Sequence, residues 1–225
     1  MKRRDVLAAL GGLVAAPGVA DAQVLSLPPT PIVPGAGDVL VSLETSLGAI
    51  IVALKVKQAP LTTANFLRYV DGKLYDGASF WRAAKAPSSV DYGLIEGGLA
   101  GDPKKVLKPV AHEPTTQTGL RHVDGTLSLA RREPGSGDSD FFICVGEAPY
   151  LDANPTGEGD NLGFAAFGQV IKGMEIVRKI LNLPTPGEAT NPVMKGQMLD
   201  PVVPIITARR IYAAATRRIT SASPA

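Results

Sequence analysis

The chain has 225 residues, enough for one sizeable domain with a buried core. With 45% hydrophobic and 20% charged residues it reads as a globular protein rather than a disordered one. A net charge of +2, without a stripe of Lys or Arg, argues against nucleic acid as a partner. The first predicted element is an export signal over residues 1–22. Lys2-Arg3-Arg4 form its basic start, and the apolar run from Val6 to Ala16 is too short to span a bilayer. Ala20-Asp21-Ala22 supplies a small-x-small cleavage site. The arginine pair before Asp5-Val6-Leu7 resembles a twin-arginine signal, with an ordinary secretory signal as the alternative. Cleavage after Ala22 implies a periplasmic protein with no stable membrane insertion.

Residues 23–37 hold Pro28, Pro29, Pro31 and Pro34 and read as an extended linker. Val39, Val41 and Leu43 alternate with polar residues, and Ile50, Val52 and Leu54 continue the alternation past Gly48, predicting a β-hairpin. Pro60 opens a helix through Leu61, Ala64, Leu67 and Val70 that Gly72 ends. Short strands are predicted over Thr126 to Arg131, Phe141 to Val145, Phe164 to Val170 and Ile205 to Ala213. A second helix runs from about Gly173 to Asn182, with Met174, Val177, Ile180 and Leu181 on one face. Pro184 to Pro204 reads as a long connector and residues 216–225 as a polar, basic tail. Many short strands with two distant helices fit a mainly β fold, a closed antiparallel barrel with a helix over each mouth. No repeat or second domain is visible, so residues 38–215 form one domain, expected to be a monomer. Cys144, the only cysteine, lies in an apolar run and is expected to be a small buried residue.

Three segments carry chemistry: Phe80-Trp81-Arg82, Ile95-Glu96-Gly97-Gly98 and Ser139-Asp140-Phe141-Phe142-Ile143. With Asn65-Phe66 upstream and Phe167-Gly168-Gln169-Val170 downstream, they resemble the cyclophilin family of peptidyl-prolyl cis-trans isomerases, over roughly Asp38 to Tyr212. The resemblance independently implies an eight-stranded barrel capped by two helices. It also implies proline-containing polypeptide segments as substrate, and no metal, cofactor or nucleophile. Rotation about an X-Pro bond must overcome a barrier of about 18–20 kcal/mol set by amide resonance. A guanidinium aimed at the prolyl nitrogen lowers it, because the nitrogen lone pair becomes an acceptor only when the amide twists. By resemblance Arg82 is the catalytic arginine and Phe142 the floor of the proline pocket. Leu94 and Leu151 match its aliphatic walls, while Phe141 is assigned to the core. Ala130 and Arg131 match the strand edge whose backbone anchors substrate, with the Arg131 side chain left to solvent.

The departures from the family pattern fall at the same site. Glu96 and Asp140 stand where glutamines are usual, replacing two groups that donate and accept by carboxylates that only accept when ionised. Glu96 is expected to grip Arg82, fixing its direction and weakening its pull on the prolyl nitrogen. Gly93 stands where a pocket phenylalanine is common, Tyr150 where tryptophan is frequent, and Phe164 where histidine or tyrosine is frequent. Ala83 to Tyr92 is longer than the usual link. The alternative function is therefore a cyclophilin-like module that binds Pro-containing segments with weak or no catalysis. Asp152 to Asp160 resembles the start of a calcium loop, but Gly163 occupies the place of the bidentate glutamate, so no metal is expected there. His112 and His122, the only histidines, lack the motif of a hydrolase triad or a zinc site.

Overall fold

The computed structural model describes residues 34–212 except 87, 88, 90, 158 and 159. The predicted export signal, most of the linker and the tail lie outside the described residues. The hairpin forms as expected from β1 (Val39–Thr45) and β2 (Gly48–Leu54), in register from Val39↔Leu54 to Thr45↔Gly48. The Thr45 hydroxyl donates to the Gly48 carbonyl at 2.6 Å and accepts from the Leu47 N–H, closing the turn. Helix α1 (Pro60–Asp71) starts at the proline, whose missing N–H costs nothing in a first turn. No local side chain caps it. The buried Glu113 carboxylate instead accepts the N–H groups of Leu61 and Thr62 at 3.1 and 2.7 Å, satisfying donors that the helix cannot.

The remaining elements are β3 (Ala78–Lys85), β4 (Gly93–Gly98), a single turn α2 (Thr115–Thr118), β5 (Thr126–Leu129), β6 (Phe141–Val145), β7 (Ala165–Lys172), α3 (Met174–Leu181) and β8 (Met198–Ile211). The eight strands close into a barrel in the order β1-β2-β7-β5-β6-β4-β3-β8, every neighbouring pair antiparallel. Closure leaves no sheet edge to be protected. The core joins barrel side chains such as Leu43, Phe80, Ile95, Phe141 and Phe167 to Phe66 and Val70 of α1 and to Val177, Ile180 and Leu181 of α3. Phe66 meets Tyr75, Phe141 and Phe167 at centroid distances of 5.2–5.3 Å, so α1 is keyed to the barrel by aromatic contacts. Phe141 is wholly buried, as expected.

One expectation needs correction. The connector does not run to Pro204 but ends at Gln197, and Met198–Ile211 is a single 14-residue strand despite Pro201 and Pro204. Pro201 is tolerated because the β3–β8 register jumps from Phe80↔Val203 to Arg82↔Met198, whereas Pro204 stays in register opposite Ser79. Residues 199–202 have no ladder partner on β3 there, so Pro201 removes no bond from that ladder.

Candidate active site

The jump that accommodates Pro201 also aims Arg82. Along an undisturbed strand, Phe80 and Arg82 would face the same side. On β3 the partner changes from Gly97 at Phe80 to Glu96 at Arg82, so two residues, Trp81 and Arg82, answer one on β4. This bulge keeps Phe80 in the core and turns Arg82 to the outer face of the barrel. Close approach of the strands then requires the double glycine. A Cβ at Gly97 would lie 2.7 Å from the Phe80 ring, and one at Gly98 would lie 2.7 Å from the Ser139 carbonyl oxygen.

Arg82, Glu96, Phe142 and Ser128 follow one another across β3, β4, β6 and β5 as register partners. Directly opposed residues share a face, so the row presents guanidinium, carboxyl and aromatic ring side by side. The Arg82 Nη1 donates to Glu96 Oε2 at 2.7 Å and Nε donates to Gln197 Oε1 at 2.8 Å. Burial pushes the Glu96 carboxyl above its ordinary value, and the Arg82 guanidinium opposes that rise. The expected grip of Glu96 on Arg82 is thus present. Gln197, just ahead of the last strand, is a second holder that sequence reading missed; its side chain lies 115 residues from the arginine, with no local signal.

Beside this row lies a small apolar cluster separate from the core. Phe142, Cys144, Ala148 and Leu151 are buried in it, with Leu94, Ala130 and Phe164 packed against them. It therefore brings together five residues assigned to the substrate site: Phe142, Leu94, Leu151, Ala130 and Phe164. Phe164 meets Phe142 edge-on at 5.3 Å. Leu151 and the exposed Tyr150 come from a 3-10 turn over Pro149–Leu151. Cys144 is wholly buried, and burial pushes its thiol up to about 12, which leaves it inert.

The polar residues around the cluster are held largely by the protein itself. The Ala130 N–H is committed to the Asp140 carbonyl at 2.9 Å. The Arg131 side chain is not in solvent: it is 7% exposed, forks onto Asp160 at 2.8 and 2.9 Å, donates to the Gly163 carbonyl and lies over the Phe164 ring. The reason is the long 152–163 loop, which supplies carboxylate and carbonyl to a cation that would otherwise face water. Asp140 turns to the Ala100 N–H and the Ser139 hydroxyl, at 3.0 and 3.2 Å; burial raises its pKa and these bonds oppose the rise. At Gly93, a Cβ would collide with the Ala84 carbonyl oxygen, so that position can hold no phenylalanine here.

Beneath the pocket lies a hydrogen-bonded chain that the sequence did not reveal. His122 Nδ1 is 2.7 Å from Asp152 Oδ1 and its Nε2 is 2.9 Å from the Ser128 hydroxyl, with the ring stacked on Phe142 at 5.9 Å. Asp152 Oδ1 also accepts the His122 backbone N–H, so it serves as the acceptor for Nδ1–H, and Nε2 accepts from Ser128. Burial lowers the His122 pKa and Asp152 opposes it. Ser128 has no exposed surface, so the trio supports the floor rather than attacking a substrate. Among the described residues no group of three His, Cys, Asp or Glu could hold a metal ion. Two carboxylates of the calcium-like loop are engaged separately, Asp152 on His122 and Asp160 on Arg131.

Comparison with known proteins gives this geometry its family. Residues 40–203 match the family described as cyclophilin type peptidyl-prolyl cis-trans isomerase/CLD. The peptidyl-prolyl cis-trans isomerase A of Dickeya dadantii is 39% identical over 148 residues, which are 64% of this chain and 72% of that protein. The peptidyl-prolyl cis-trans isomerase of Acinetobacter baylyi is 36% identical over 150 residues, 65% of this chain and 73% of the relative. In fold, the chain resembles a cyclophilin type peptidyl-prolyl cis-trans isomerase of Cryptosporidium parvum, crystallised in the presence of the dipeptide Ala-Pro. That match has a TM-score of 0.61 at 22% identity and covers 77% of this chain and 99% of that one. A family match over most of the barrel, joined to relatives at this identity, means that the chain belongs to the cyclophilin-type peptidyl-prolyl cis-trans isomerases.

Proposed function

We propose that this chain catalyses rotation about X-Pro peptide bonds, with Arg82 as the catalytic residue and the Phe142 cluster as the proline pocket. The observation that carries the reading is the bulge that sets Arg82 outside the barrel, level with Glu96 and Phe142. A guanidinium has five N–H donors, of which Glu96 and Gln197 take one each. The rest remain to bond a prolyl nitrogen as the amide twists, an interaction strongest in the transition state. Leu94, Leu151 and Phe164 enclose the proline ring, and Ala130, Arg131, Asp140 and Tyr150 border the peptide. The test is exchange spectroscopy or a protease-coupled assay on an X-Pro peptide series, comparing wild type with Arg82→Ala. A wild type without activity refutes catalysis.

The second reading, a Pro-peptide binding module with weak catalysis, is favoured by the 2.7 Å Arg82–Glu96 pair, which draws off positive charge from the arginine. Enhancement of turnover in Glu96→Gln separates the two. We further propose that the protein is an exported bacterial foldase of the cell envelope, monomeric, with residues 1–22 removed, a linker over 23–37, the isomerase domain over 38–215 and a tail over 216–225. The basic pair, short apolar run and Ala20-Asp21-Ala22 site support this. No helix among the described residues is long and apolar enough to cross a membrane. Replacing Arg3-Arg4 by Lys-Lys is expected to block export; undiminished secretion would refute the twin-arginine route.

A further inference from the structure

Strand alternation sets Leu94 and Glu96 on the outer face of β4, over Cys144 and Phe142 of β6. Continued one step past Gly93↔Val145, the same register places Tyr92 opposite Gly146, in line with Leu94. The side chains bear this out. Gly146 has φ +81, and a Cβ there would come within 2.6 Å of the Tyr92 ring, so the ring lies directly on the bare glycine. The Tyr92 carbonyl accepts from the Ala86 N–H at 2.9 Å, which fixes the backbone behind it. Tyr92 lies near enough to Tyr150 to add to the rise of its phenol, of which partial burial is the larger cause. Tyr150 is 66% exposed, so the pair offers open aromatic surface next to Leu94 and Leu151. Position 93, between Tyr92 and Leu94, can supply none of it.

We propose that Tyr92 and Tyr150 form a second aromatic wall continuing the proline pocket, a subsite for a large apolar or aromatic side chain adjacent to the substrate proline. Tyr92 is its specificity-determining residue, and the inference rests on the isomerase reading of the site. Two tyrosines, each with only two side-chain torsions, lose little freedom on binding and present flat faces, which suits an aromatic partner at offset-stacked or edge-on geometry.

The test is an NMR titration with exchange spectroscopy on three peptides that share one Ala-Pro-Ala core, with Phe replacing the residue before or the residue after proline in two of them. Wild type is expected to bind one Phe peptide roughly three- to tenfold more tightly than the all-Ala peptide, the range of an aromatic contact with its buried area. Tyr92→Ala should bring that ratio close to one, and Tyr92→Phe, which keeps the ring, should retain most of it. Equal ratios in wild type and Tyr92→Ala, or no preference at either position in wild type, overturn the subsite. A wild type that shows the preference without accelerating exchange supports the wall and refutes the isomerase reading instead.

Discussion

Replacing Arg82 by alanine tests the mechanism most directly, because the structure separates its effects on activity and on stability. The guanidinium is expected to give the twisted amide one charge-assisted hydrogen bond, about 1.5–3 kcal/mol, or roughly a ten- to hundredfold loss of kcat/KM at about 1.4 kcal/mol per tenfold. The same substitution strips Glu96 of its partner. That carboxyl is 9% exposed, and leaving a buried group unpaired costs about 1–3 kcal/mol. The loss stays at the lower end because burial already favours the protonated form of Glu96, which can take a proton instead of remaining a bare charge. Adding Glu96→Gln should therefore return most of the stability and none of the activity. The measurements are kcat/KM by exchange spectroscopy and the midpoint of urea unfolding, on wild type, both single variants and the double variant. Full activity in Arg82→Ala, or activity regained with stability in the double variant, would refute the reasoning.

Glu96→Gln alone should raise activity above the folded Glu96 pKa, where wild type keeps an ionised carboxylate on Arg82. In wild type, activity should climb as pH falls through the raised Glu96 pKa, a rise absent from Glu96→Gln in a pH–rate profile. The stability sign agrees: with the folded pKa above the unfolded one, the contribution of Glu96 to stability increases as pH falls through the folded value and levels off below the unfolded one. Phe142→Ala empties a 4%-exposed position shared by the pocket floor and the His122 stack. It should cost about 3 kcal/mol in chemical unfolding and weaken peptide binding in titration. The 152–163 loop should show no saturable calcium binding at sub-millimolar concentration by calorimetry; binding abolished by Asp152→Ala would overturn that.

The sequence revealed elements where its periodicity was unbroken and its punctuation local. Val41 to Thr45 alternates buried and open positions, β2 follows as an apolar run from Gly48, Pro60 and Gly72 bracket α1, and Phe141 to Val145 is a short apolar run whose ends match the strand. β3 and β4 escaped the same reading, though they carry Arg82 and Glu96. The bulge at Trp81 breaks the period of β3, and three of the six residues of β4 are glycine. Arg82 and Phe142 came from resemblance to a family, and only the closed register shows them as neighbours across Glu96. Gln197, Asp152 and Asp160 were invisible as site components because each acts on a residue far away in the chain: Arg82, His122 and Arg131. The connector was overextended for the opposite reason, since Pro201 reads as a breaker but falls where the β3–β8 register jumps.

The bond from Gln197 to Arg82 also orders events in time. The residue that steadies the guanidinium immediately precedes β8, the strand that closes the barrel between β1 and β3. During synthesis Arg82 emerges long before Gln197, so a nascent or C-terminally clipped chain holds its arginine by Glu96 alone. Contacts of such large sequence separation form late, after the entropy of a long loop has been overcome. A fully aimed arginine is thus a readout of completed folding: the guanidinium reaches its final geometry only when the last strand has docked.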